Sequence, residues 1–275
     1  MIDLHLHILP GVDDGPRTLR EAIAMLDWFA AAGYTRLVAT PHLMEPLSRE
    51  YAEAVRASFD QVEEQATERG LTLDAGYEHM VANDLPARLT AGETSTLAGS
   101  KAILIEFPFA GWDYSADRVL FDVQQRGFRA VLAHPERYVE AHTRPDLVEA
   151  LAERGVVFQI TLAAIAGTYG PEVRSMAGKL LTWCVTSELP FVLATDAHSM
   201  GRRLTDSLAG RAWIERNIAE GESVLTWAGS VVPESIISDQ PIPSLREWID
   251  QNPAPRNQPT GWWRRIPARN PLVRS

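Results

Sequence analysis

Ile2, Leu4 and Leu6 alternate with Asp3, His5 and His7 at the start of the chain. That is the two-residue period of a strand, with three apolar side chains on one face and both histidines on the other. Pro10 and Gly11 stop the strand, and Asp13 and Asp14 follow in a turn. The period then changes: Leu19, Ala22, Ile23, Leu26 and Phe29 recur at helical spacing, which predicts a helix over 18–32 closed by Gly33. Residues 35–40 are rich in β-formers and run into Pro41 and His42, a second strand. Tyr51, Val55, Phe59, Val62 and Ala66 mark a long helix ended by Gly70, and 71–75 is a short strand with Gly76, Tyr77 and Glu78 directly behind it. An apolar run over 102–107 is interrupted by Glu106. Further on, a helix over 115–125, a strand over 130–133 leading to His134, a helix over 147–154 and a strand over 156–160 repeat the alternation. A helix over 173–187 and a strand over 191–195, running into Asp196 and His198, complete it. Seven strands alternating with helices predict an α/β chain with a parallel sheet, which closes as a (β/α)7 barrel. No repeat beyond this βα period is present. From 252 onward the chain has five prolines and no periodicity, so we divide it into a barrel over 1–250 and an extended or disordered tail over 251–275.

At 275 residues with 45% hydrophobic and 23% charged side chains, the chain is an ordinary soluble globular sequence with length enough for a large core. No apolar run is long enough to span a bilayer, and the N-terminus lacks the basic and apolar regions of a signal peptide. The single cysteine, Cys184, excludes an internal disulfide and fits a reducing cytoplasm. The net charge of −10 argues against nucleic acid as a partner. Residues 253–275 carry five arginines and no acid, leaving 21 basic against 36 acidic residues, −15, on the rest. In that basic tail, Trp262, Trp263, Arg264 and Arg265 suit contact with an anionic membrane surface or an acidic partner.

Function in a parallel barrel sits at the C-terminal ends of its strands. His5 and His7 fall at the end of the first, His42 of the second, Glu78 of the third, Glu106 of the fourth, His134 of the fifth, and Asp196 and His198 of the seventh, with Asp14 on the first loop. Five of the seven histidines keep that phase, which scattered surface histidines would not. Two imidazoles at i and i+2 on a strand stand roughly 6–7 Å apart along the backbone, close enough to hold one ion. So many imidazoles and carboxylates on one rim need positive charge among them, and nine ligands of nitrogen and oxygen suit two or three ions of manganese, iron or zinc. Glu106, in an otherwise apolar strand, would cost several kcal/mol if unpaired. Asp13 and Asp14 also suit capping of the next helix, and of the two Asp14 is the better ligand. Of the neighbours Glu78 and His79, only one faces the site easily; we take Glu78, leaving His79 on the rim, and His142 as ordinary surface.

Five blocks, MIDLHLHILPGVDDG, VATPH, LIEFP, LAHPERY and TDAH, in this order and spacing, resemble the PHP (polymerase and histidinol phosphatase) superfamily. Within it they resemble the bacterial metal-dependent tyrosine-protein phosphatases of capsule and exopolysaccharide operons. The resemblance covers about 1–241 and implies a distorted (β/α)7 barrel. It implies one ion among His5, His7, Glu78 and Asp196, a second among Glu78, Glu106 and His134, and a third among Asp14, His42 and His198, with Glu78 bridging. The implied chemistry is hydrolysis of a phosphomonoester by water activated on the ions, manganese first, in a phosphotyrosine-bearing protein: a membrane-associated tyrosine autokinase controlling polysaccharide export. Arginines placed to grip the phosphate would be Arg137 and either Arg202 or Arg203. Where relatives carry Asn or Ser near the end of the sixth strand, this chain has Gln159, Thr161, Leu162, Ala163 and Ala164. A small-molecule phosphatase of the histidinol-phosphate type, a phosphodiesterase, and a metal-stabilised binding module without turnover are the alternatives. A thiol mechanism is not among them: Cys184 is followed by VTSELP, with neither the glycines nor the arginine of a phosphate-cradling loop, and it lies with Leu180, Leu181 and Trp183 in an apolar helix as core packing.

Overall fold

The structure, a computed structural model, describes residues 1–252 apart from Glu45 and Asp113. The tail expected to be extended or disordered lies outside the described residues from 253 onward. Among the described residues nine short strands form: β1 (Ile2–Leu6), β2 (Arg36–Ala39), β3 (His42–Leu43), β4 (Thr72–Ala75), β5 (Glu78–Met80), β6 (Ala102–Glu106), β7 (Arg129–Ala133), β8 (Val157–Thr161) and β9 (Phe191–Ala194). Every pairing is parallel, in the orders β1-β2-β4 and β3-β5-β6-β7-β8-β9. β2 with β3, and β4 with β5, are the expected second and third strands, each interrupted once and then resumed so that His42 and Glu78 stand in register as partners. The interruption falls at Pro41, which has no N–H to give a ladder, and the carbonyls of Ala39 and Pro41 carry the connection across by accepting from Gly76 and Glu78.

Closure of the ring uses the same strand ends. The Asp196 N–H donates to the His5 carbonyl at 2.9 Å and the His7 N–H to the Ala197 carbonyl at 2.8 Å. Just below, the Thr195 N–H donates instead to the buried carboxylate of Asp3, 3.1 Å away. A side chain thus replaces a missing rung between the first and seventh strand positions, and it pins β1 where the two histidines leave it.

The helices expected from periodicity are present at Leu19–Ala31, Arg49–Glu68, Tyr114–Gln125, Pro145–Glu153 and Pro171–Thr186. Thr18 caps the first: its hydroxyl accepts from the Glu21 N–H while Glu21 reaches back to the Thr18 N–H. Apolar side chains pack between these helices and strands buried on both faces. Several helical segments escape a periodicity reading, the longest being Arg202–Asn217. Its buried residues are Leu204, Ser207, Gly210, Arg211 and Ile214, so the face against the core is built partly of small and polar side chains and shows no apolar stripe. Gly210 lets this helix lie on Leu162–Ala166: a Cβ there would collide with the Leu162 carbonyl oxygen. Gly210→Ala gains about 1 kcal/mol in helix propensity but loses about 2–3 kcal/mol to the clash with immovable backbone. We expect a net destabilisation and a lower melting temperature; an unchanged or higher midpoint in thermal unfolding would mean that the two helices separate freely.

Candidate metal centre

His5 and His7 leave the end of β1 on the same side, and their Nε2 atoms converge to 3.3 Å. Each ring is held from behind. The Gln159 side-chain oxygen accepts from the His134 backbone N–H at 3.0 Å and also meets His5 Nδ1 at 2.8 Å. Because a backbone N–H can only donate, that oxygen is the acceptor, His5 Nδ1 carries the proton, and Nε2 presents its lone pair to the site. Asp13 does the same for His7, with Oδ2 2.6 Å from Nδ1, and is itself fixed by the N–H groups of Gly15 and His42. Neither Asp13 nor Gln159 stood out in the sequence as a partner of the histidines, since nothing in local spacing marks them. Partners of this kind typically change metal affinity by about 10–100-fold when removed. Gln159→Leu is therefore expected to weaken metal binding by about that factor with the fold intact; unchanged affinity in a chelator competition would deny Gln159 the role.

Glu78 is the centre of the cluster. Its carboxylate lies 3.2 Å from His5 Nε2, 3.3 Å from His7 Nε2, 2.9 Å from His42 Nδ1 and 3.0 Å from His134 Nε2. Burial alone would push this carboxyl up; His5, His134 and His42 outweigh it and hold it well below the usual carboxylate range. Glu106 sits 3.5 Å from His134 Nε2 and 3.9 Å from His42 Nδ1, and burial together with the charge of Glu78 pushes it up to about 7. Asp196 lies 3.6 Å from His5 Nε2, 3.7 Å from His7 Nε2 and 3.6 Å from His198 Nδ1. Asp14 reaches His198 at 3.1 Å and His42 at 3.5 Å from the exposed rim. The nine expected residues thus come together, in the groups His5–His7–Asp196, His5–Glu78–His134, His42–Glu78–Glu106 and His7–Asp14–His42–His198.

Three features fit this set to divalent cations. Glu78 Oε2 and His42 Nδ1, both sealed from solvent, face each other without making a hydrogen bond. Two carboxylates share a buried site in which one of them is driven towards protonation, a conflict that added positive charge removes. His134 and Asp196 also hold left-handed backbone, φ 32° and 51°, at roughly 1–2 kcal/mol each. Such strain recurs at functional sites, and here it turns both side chains inward.

The arginines separate clearly. Arg137 Nη1 donates to Asp196 Oδ2 at 3.0 Å, and Arg203 Nη1 to Asp196 Oδ1 at 3.0 Å. The Tyr169 ring lies against both guanidiniums, 4.6 Å from that of Arg137 and 5.6 Å from that of Arg203. Arg202 points away, 76% exposed, with its Nε 3.3 Å from Asp206. His79, expected on the rim, is instead buried and donates to the Ser95 carbonyl, because the alternation that brings Glu78 inward sends its neighbour to the other face. His142 is exposed and hydrogen-bonded to the Glu136 carbonyl, away from the cluster. Cys184 is fully buried in the core, its thiol pushed up to about 12 by burial, so it offers no thiolate.

The family model for capsular polysaccharide synthesis proteins, CpsB/CapC, matches residues 1–226. The chain belongs to the CpsB/CapC family. Tyrosine-protein phosphatase YwqE of Bacillus subtilis is 32% identical over 205 residues, 74% of this chain and 79% of the relative. The putative tyrosine-protein phosphatase CapC of Staphylococcus aureus is 30% identical with the same coverage of each. A solved structure from work on YwqE of Bacillus subtilis and CpsB of Streptococcus pneumoniae, described as unique metal-dependent tyrosine phosphatases, aligns with a TM-score of 0.76 at 29% identity. That alignment covers 89% of this chain and 97% of the solved one. Every one of the nine clustered side chains, and both inward-facing arginines, fall inside the span that the CpsB/CapC model matches.

Proposed function

We propose that this CpsB/CapC protein is a metal-dependent protein-tyrosine phosphatase. Its substrate on this reading is a tyrosine autokinase of capsular or exopolysaccharide synthesis, reached from the cytoplasm. The observation that carries the reading is the convergence of His5, His7, Asp14, His42, Glu78, Glu106, His134, Asp196 and His198 beside two inward arginines, with a cysteine that is sealed in the core. Two or three divalent ions, manganese foremost, held among these side chains would acidify a water molecule and offset the charge of a phosphoryl group. The residues of the chain do the rest. Gln159 and Asp13 hold His5 and His7 in the tautomer that offers Nε2. Arg137 and Arg203, steadied by the Tyr169 ring, present paired donors to the phosphoryl oxygens, and neither can lose its charge. Among the described residues no helix is long and apolar enough to cross a membrane, which fits an enzyme that meets a membrane-associated kinase as a separate chain.

The test is metal analysis of the purified protein together with turnover of a phosphotyrosine peptide and of histidinol phosphate. Turnover of the peptide should vanish in EDTA, return with manganese, exceed that of histidinol phosphate, and persist in Cys184→Ser. Activity that survives metal removal, or that disappears with Cys184, would defeat the proposal.

A further inference from the structure

Five large hydrophobic side chains are exposed among the described residues, and four of them, Met44, Phe109, Val139 and Met200, lie on segments that follow the C-terminal ends of strands, Val139 opening the short helix Val139–Thr143. Phe109 is the one whose ring meets the phosphate-gripping machinery. The Arg137 guanidinium lies against two rings, 4.5 Å from the Phe109 centroid and 4.6 Å from that of Tyr169. The Phe109 ring also stands 5.8 Å from the His134 ring, yet 46% of the residue is exposed. Its backbone is tied to the arginine's loop: the Phe109 carbonyl accepts from the Val139 N–H at 3.0 Å, and the Gly111 N–H donates to Glu140 at 2.8 Å. An exposed aromatic ring is therefore fixed beside the guanidinium rather than carried on a free loop.

A phosphoryl group gripped by Arg137 carries its ester substituent one oxygen away, within reach of a ring 4.5 Å from that guanidinium. We propose that Phe109 is a specificity residue: its exposed ring packs against the phenyl group of phosphotyrosine and sets the preference for aryl over alkyl phosphomonoesters. The inference rests on the tyrosine-phosphatase reading of the site. Aromatic pairs are worth enough to change affinity by about two- to tenfold.

Benzylphosphonate and propylphosphonate share a headgroup and have no leaving group, so calorimetric titration of the manganese-loaded enzyme with each separates ring contact from reactivity. The wild type should bind the benzyl compound about two- to tenfold more tightly. Phe109→Leu should erase that preference while leaving propylphosphonate affinity unchanged, raising KM but not lowering kcat for p-nitrophenyl phosphate; Phe109→Tyr should retain the preference. An unchanged ratio in Phe109→Leu overturns the proposal, as does equal weakening of both ligands, which would mean that the ring only braces Arg137. Equal binding of the two phosphonates by a wild-type enzyme that hydrolyses phosphotyrosine peptide sinks this inference alone. A wild type inactive on that peptide sinks the reading beneath it.

Discussion

Glu78→Gln should lose both its metal and its turnover while keeping its fold. The carboxylate stands within 3.3 Å of four imidazoles and belongs to two of the four ligand groups. The amide has almost the same shape, so packing is preserved, but it has no charge and only one oxygen to offer as a ligand. Metal catalysis contributes several kcal/mol, and a loss of roughly 4 kcal/mol corresponds to about a thousandfold in kcat/KM. Bound metal per chain, measured by mass spectrometry, should fall in parallel, with an unaltered circular dichroism spectrum. A variant that keeps its full metal complement and works at the wild-type rate would remove Glu78 from the centre of the mechanism.

The second large effect separates two adjacent arginines. Arg203→Ala should lower kcat/KM by about a hundredfold, in line with removal of one preorganised donor to a developing anion. Arg202→Ala should stay within about twofold, because an exposed i,i+4 pair with Asp206 is worth little. Inorganic phosphate should inhibit the Arg203 variant more weakly and the Arg202 variant as it does the wild type. Arg203 also touches Asp196 and His198, so a loss caused by misplaced ligands must be separated from a lost phosphate contact. Measuring bound metal in Arg203→Lys does this: full metal with weak phosphate inhibition supports the direct role, and full activity with ordinary phosphate inhibition in Arg203→Ala refutes it.

The choice between these two arginines illustrates where sequence reading stops. Successive residues on a helix are turned by about 100°, so which of Arg202 and Arg203 faces the centre depends on how Arg202–Asn217 is rotated on the barrel. That rotation is set by Gly210 against Leu162 and by a buried face containing Ser207 and Arg211, none of which has a periodic signature. The contacts that Asp13 and Gln159 make with the histidines, and those of Tyr169 and Phe109 with Arg137, escape the sequence for a related reason. Each links residues distant in the chain or across a turn, and no local spacing rule joins Gln159 to His5.

What the amino-acid order determined by itself was the alternation of strands and helices and the phase of the ligands on it. Period-2 and helical patterns are local, and a parallel barrel brings every strand's C-terminal end to one rim, so residues such as His42, Glu106 and His134 can be placed in a common site before any contact is known. The tertiary structure decided the rest: how the ring closes on Asp3, which nitrogen each histidine presents, and which arginine turns inward. Those outcomes depend on hydrogen bonds and packing that no local spacing rule encodes, from the 7 residues between Asp196 and Arg203 to the 192 between Asp3 and Thr195, and the partners meet only once the chain has folded.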